Sequence, residues 1–295
     1  MMDIEKIGND IIANDGALNK SEAETVQETV IQAFQNRADA RGLLPAKNVP
    51  SGAQYASFYI TDFDEDEKKG IIQKGQEYPG ITVEGDKVQV KLQKLGRSFQ
   101  IYERDLKAAR QSGIPLETST ANAAARAVGQ SESYLIMQGA YGVPGLFDSD
   151  NTEVASGATS GWDDSDVDFS QVASDLKDAV SEIADDASKL EKTLILPKAE
   201  YYWAQFKTNS NDTSYLNLMK QHVDNVEWNS YVPADTALLK VEDRSVAEYA
   251  IAEELNLIAA GDWKESKVDA FEYKTRLIAT PLIKQRSGMC EITGV

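Results

Sequence analysis

The segment Lys87–Leu106, KVQVKLQKLGRSFQIYERDL, constrains the fold more than any other stretch of the chain. Val88, Val90 and Leu92 alternate with polar residues, and Leu95, Phe99 and Ile101 continue in the opposite phase, with Gly96 at the junction. Strict alternation gives a strand one wet and one dry face, and a phase change at a glycine is the mark of a β-bulge. One long bent strand is expected. About 16 residues at about 3.3 Å each reach roughly 50 Å, whereas an ordinary strand has about 5–6 residues.

The preceding residues supply a partner. In ITVEGDKVQV, Gly85 and Asp86 suit a two-residue hairpin turn that begins with glycine. Counting outward pairs Glu84 with Lys87, Val83 with Val88 and Ile81 with Val90, so charges and apolar residues both match across the strands. The long strand thus becomes the returning half of a hairpin arm. Such an arm has little core of its own, and something outside it must cover its dry face. Lys68, Lys69, Lys74, Lys87, Lys91 and Lys94 cluster here beside the acidic run Asp62–Glu67, a mixed surface suited to protein contact rather than a phosphate track.

Around the arm the pattern is helical. SEAETVQETVIQAFQNRADARG places Ser21 and Glu24 in capping-box spacing, carries Val26, Val30 and Phe34 on one face, and stops at Gly42. LLPAKNVPSGA reads as an extended connector and QYASFYIT as a strand. YERDLKAARQSG is a short helix, and TSTANAAARAVGQSESYLIMQG is a helix about 20 residues long, with Ala121, Ala124, Val128, Ser131 and Leu135 on one face and Gly139 closing it. Residues 148–170 read as a polar, acidic, exposed loop. Beyond it come a helix over 170–190, a short buried strand at TLILP, helices at KAEYYWAQFK and SYLNLMKQHV, strands at NVEWNSYV and TALLKVE, and a mostly stranded remainder.

Composition narrows the function classes. With 295 residues and 42% hydrophobic content the chain buries a substantial core in one large or two smaller domains. No apolar run approaches the roughly 20 residues a membrane span requires, and the opening residues lack the basic start and apolar block of a secretory signal. A net charge of −18 repels a nucleic-acid backbone. In molar salt the Debye length falls to about 3 Å and this self-repulsion fades. A high-salt source is expected, with an acidic protein from a mesophile as the alternative.

Chemistry-bearing motifs are sparse. The single cysteine, Cys290, excludes an internal disulfide and reads as a small buried hydrophobe in a terminal strand, while the lone His222 reads as a helix-end residue. No Ser/His/Asp or Cys/His constellation and no Gly-rich phosphate loop with its lysine is present, so no catalytic residue and no cofactor are assigned. Asp164, Asp166 and Asp168 alternate like the start of a Ca²⁺ loop, with Asp175 at the twelfth position, but Phe169 stands where the sharp turn requires glycine. Asp168 and Gln171 are better read as the start of the following helix.

The order of elements resembles the Hong Kong 97-type capsid fold, an α+β architecture shared by tailed-virus major capsid proteins and encapsulin nanocompartment shells. The residues that carry the resemblance are FQIYERDLKAARQSGIPLETSTANAAARAVGQSESYLIMQGAYGVPGLF, Phe99 to Phe147. Within them, Arg104–Thr118 is similar to the family's helix and turn, Ala124–Val128 to its spine helix, and Gly142–Leu146 to its G-x-x-G-L loop. The resemblance implies an N-terminal arm and helix at 1–53 and an extended hairpin, the E-loop, at 54–102. It further implies a peripheral domain with the spine helix at 103–192, an axial domain at 193–260, and terminal strands returning to the peripheral domain at 261–295.

In that family the arm reaches over a neighbouring subunit. Inter-subunit contacts are accordingly expected at Lys74, Ile81, Val83, Glu84, Lys87, Val88, Val90 and Lys91. The implied function is that of a tailed-virus major capsid protein from a halophilic archaeal host. It would assemble with itself as hexamers and pentamers of an icosahedral shell around double-stranded DNA, with decoration, scaffolding and portal proteins as further partners and no membrane. Its place would be the virion, and the host cytoplasm during assembly. An encapsulin shell around a cargo enzyme is the alternative, and a halophilic hydrolase built on a carboxylate pair a remote third.

Overall fold

The computed structural model describes residues 18, 20–62, 84–112, 116, 118–148, 153–154, 158, 161–164, 167–183, 189–259 and 270–295. Helix α1 (Lys20–Gln35) buries Ala23, Val26, Val30 and Phe34, the stripe its periodicity demands. It starts at Lys20, so Ser21 lies inside it rather than capping it, and it ends well before Gly42. A 3₁₀ turn (Arg41–Leu43) and strand β1 (Ala46–Asn48) follow. The early stop is fixed from outside the helix, because the Ser133 hydroxyl accepts from the Ala40 N–H and donates to the Arg37 carbonyl.

The long strand is divided. Strands β2 (Tyr55–Asp62) and β3 (Glu84–Lys91) form a two-stranded ladder, and β4 (Gln93–Tyr102) belongs to a different sheet. The break falls at Leu92, which is buried, and not at Gly96. At Gly96 the β4 ladder runs without interruption, and the glycine has another cause: a Cβ there would stand 2.7 Å from the Thr275 carbonyl oxygen.

Helix α2 (Glu103–Ser112) leads toward the long helix α3 (Ser119–Gln138), which ends at Gly139 as its sequence requires. Arg110 of α2 grips Glu22 of α1 with two hydrogen bonds of 2.8 and 2.7 Å. Helix α3 packs against α1, β4 and β10 (Ala270–Ile283), burying Ala121, Ala124, Ala125, Val128 and Leu135. The sheet beneath it has the order β1-β9-β10-β4, with β9 spanning Ala247–Ala259. Strand β10 is antiparallel to both neighbours, and Phe99 stacks on Tyr273 across the β4 ladder at 5.6 Å.

A second sheet holds β5 (Glu153–Val154), β6 (Lys192–Leu196), β7 (Asn225–Trp228), β8 (Thr236–Val241) and β11 (Met289–Thr293), in the order β5-β11-β8-β6-β7. Helices α4 (Phe169–Glu182), α5 (Lys198–Phe206) and α6 (Tyr215–Met219) accompany it. Helix α6 is shorter than its apolar pattern suggests, and His222 lies just past it, its N–H donating to the Met219 carbonyl. Cys290 is fully buried in β11.

The acidic loop is more anchored than its composition indicates. Trp162 is fully buried and donates through Nε1 to Asp175 of α4 at 2.9 Å, and β5 pairs with β11. One indole and a two-residue strand outweigh the surrounding polar residues, because burying a large aromatic ring contributes more than an exposed carboxylate opposes.

Close approach of α1 and α3 depends on Gly129, whose Cβ would stand 3.0 Å from the Phe34 carbonyl oxygen. Gly129→Val should therefore force the helices apart and cost about 1–3 kcal/mol in denaturant unfolding. An unchanged midpoint would show that this crossing relaxes freely.

Candidate functional site

The arm presents two unlike faces. In β2 the side chains of Ala56 and Phe58 point inward and are buried, while Tyr55, Ser57 and Tyr59 are exposed. In β3 the half-buried Val88 and Val90 share the inner face, and Lys87, Gln89 and Lys91 share the outer one. Register fixes the cross-strand pairs: Phe58 with Val88, Ala56 with Val90, Tyr59 with Lys87 and Tyr55 with Lys91.

This register corrects the expected hairpin turn. Gly85 and Asp86 are paired strand residues opposite Thr61 and Ile60, and Glu84 faces Asp62 rather than Lys87. Residues 81–83, proposed above as partners of β3, lie outside the described residues, as does Lys74. The physical reason is apolar matching. Pairing β3 with YASFYITD sets Phe58 and Ala56 opposite Val88 and Val90, which lets the inner face pack against the body.

Covering of that inner face begins within the same chain. Ala56, Phe58 and Leu92 form a small core with Ala250 of β9 and Leu282 of β10, flanked by Val88, Val90, Ala252 and Ile278. The Leu92 N–H donates to the Gln54 carbonyl at 3.0 Å and closes the base of the arm. The base is therefore a plug seated in the body, and on the outer face Tyr55, Ser57, Tyr59, Lys87, Gln89 and Lys91 are exposed.

Tyr55 and Tyr59, 53% and 63% exposed, are the arm residues that pattern reading passed over. The signal is the two-residue period of a strand, which in YASFY puts Tyr55, Ser57 and Tyr59 on the face opposite Ala56 and Phe58. Each ring is paired with a lysine, a combination suited to a protein surface that is both apolar and acidic.

A second exposed feature lies along α3. A groove of about 680 Å³ runs between α3 and the outer edge of β4, lined by Lys94, Arg97, Gln130, Tyr134, Tyr141 and Tyr231 among others. Tyr141, at the tip of the loop after α3, is 95% exposed.

Two of the aspartates in the Ca²⁺-loop-like pattern have other partners among the described residues. Asp168 caps α4, its side chain accepting from the backbone of Gln171 while the Gln171 side chain reaches back to the cap, and Asp175 is hydrogen-bonded to Trp162. Asp166 lies outside the described residues. Among the described residues there is no cluster of three His, Cys, Asp or Glu side chains fit to hold a metal.

Residues 12–262 match the Linocin_M18 family, described as an encapsulating protein for peroxidase. The fold is similar to a virus-like particle from Pyrococcus furiosus, with a TM-score of 0.70 and 14% identity over 91% of this chain and 98% of that one. It is also similar to the capsid of Myoviridae phage XM1, with a TM-score of 0.62 and 15% identity over 89% and 92% of the two chains. A phage-related protein from Bordetella bronchiseptica gives a TM-score of 0.60 and 14% identity over 91% and 96%. No curated protein matches the sequence.

Phe58 is 6% exposed and central to the plug. Phe58→Ala should lower unfolding stability by about 3 kcal/mol through lost burial and the cavity left behind. A loss below about 0.5 kcal/mol would mean that the arm base contributes nothing to the subunit.

Proposed function

The chain belongs to the family of encapsulating proteins and has the Hong Kong 97-type fold of a capsid- or encapsulin-type shell subunit, and we propose that it is the major capsid protein of a tailed virus, closing an icosahedral shell around double-stranded DNA. The observation that carries this reading is the arm. Its outer face leaves Tyr55, Tyr59, Lys87 and Lys91 exposed on a two-stranded ladder, a surface that a second copy covers when copies pack side by side. Such head-to-tail contacts close into rings and shells by symmetry. The net charge of −18 supports a container that holds its nucleic acid without binding it tightly, and a halophilic host in which molar salt screens the repulsion between subunits.

A nanocompartment around a cargo enzyme is the second reading, favoured by the description of the matched family. The two differ in content. Nuclease-resistant DNA inside purified particles supports the virus, and a co-purifying enzyme with no protected DNA supports the nanocompartment.

Negative-stain electron microscopy of the purified protein in molar salt should show closed particles. Replacing both Tyr55 and Tyr59 by glutamate should leave a folded subunit that forms no stable shell, because both rings are exposed on the outer face while Ala56, Phe58 and Leu92 keep the plug. Normal shells from this variant would contradict the role given to the arm. Dialysis to low salt should dissolve wild-type particles, and intact particles there would remove the support for a halophilic origin.

A further inference from the structure

Three residues on one face of α3, namely Gly129, Glu132 and Ser133, meet the end of α1 and the turn that follows it. Gly129 admits the backbone of Phe34 and Arg37, and Ser133 holds the Ala40 N–H and the Arg37 carbonyl. Between them Glu132 is fully buried, with Oε1 3.4 Å from Nε of Arg41. The Arg41 guanidinium lies 5.6 Å from the Phe34 ring and 6.0 Å from the Tyr249 ring, and its far side reaches the exposed Glu254 at 2.6 Å.

The ionisable side chains facing Glu132 are Arg41 from the turn after α1, and Tyr249 and Glu254 from β9. Among the described residues no hydrogen bond of good geometry reaches either carboxylate oxygen of Glu132, and the nearby Tyr249 hydroxyl offers only a weak, poorly aligned one. A buried carboxylate that lacks well-aligned hydrogen bonds and shares its one guanidinium with a second carboxylate is poorly compensated. Protonation removes that charge while leaving the shape of the contact intact.

We propose that Glu132 is a proton-operated latch between α1 and α3, holding the end of α1 more firmly with its carboxyl neutral than with it ionised. Burial pushes the Glu132 carboxyl up from 4.5 to about 7, against the Arg41 charge and the Tyr249 hydroxyl, and Glu254 adds to the rise. With the docked value above the undocked one, docking takes up a proton between about 4.5 and about 7. The hold is full at the acid end of that window and is lost as pH rises through about 7. The latch lies inside one subunit, so it operates whatever the shell encloses.

Hydrogen–deuterium exchange of the assembled particle tests this, read on peptides covering α1 and the turn after it and corrected for the intrinsic rate. From about pH 5.5 to about pH 8, corrected exchange in wild type should rise on the order of tenfold more than in Glu132→Gln, whose side chain stays neutral throughout. Glu254→Gln removes a neighbouring negative charge at an exposed position, and should move the wild-type transition to lower pH. Equal pH responses in wild type and Glu132→Gln overturn the proposal. Should Glu132→Gln fail to fold, an unmoved transition in Glu254→Gln overturns it instead.

Discussion

Strand β10 is the seam on which the rest of the structure depends. It pairs with β9 along one edge and with β4 along the other, and Ala279, Thr280, Pro281, Leu282 and Ile283 are all buried. A strand buried on both faces tolerates few polar residues, which is why this segment reads RLIATPLI. Leu277 and Tyr273 belong to the main core that includes α3, while Leu282 belongs to the smaller core that seats the arm. Pro281 stands past the last β4 partner, where β10 has only β9 beside it. The spine helix and the arm are thus held by one strand.

That arrangement explains how an arm with no core of its own keeps a defined direction. Two strands alone are marginal, and a hairpin anchored only by its turn would swing freely. Here Leu92 breaks the long strand at the body, and Phe58 and Ala56 fill the space above Ala250 and Leu282. Direction is set at the base by burial and leaves the outer face free for contact. The tyrosine–lysine pairs on that face tolerate exposure in a lone subunit and gain by burial against another protein.

Much of this was legible in the sequence, and the misreadings share a cause. The spine helix, its alanine face and its stop at Gly139 follow from local periodicity, as do Cys290 in a terminal strand and Asp168 with Gln171 at the start of a helix. The sequence shows the phase change but places it at Gly96, whose role is to admit the Thr275 carbonyl oxygen of β10, a strand far away in sequence. Gly85–Asp86 has the composition of a turn and the structure of a strand, because alternation fixes which face a residue occupies and leaves its partner open. Trp162 in an acidic loop and Glu132 inside the α1–α3 contact are tertiary facts with no local pattern to announce them.

The central claim is that a second copy of the chain covers the outer face of the arm. Amine crosslinking of particles assembled from equal parts of unlabelled and ¹⁵N-labelled subunits tests it directly, by reading the isotope pattern of crosslinks at Lys87 and Lys91. Mixed-isotope pairs at both lysines are the predicted result, together with their absence when the particles are dissolved before crosslinking. Crosslinks of one isotope only, unchanged on dissolution, would place the arm's outer face on its own subunit or in solvent and contradict the claim.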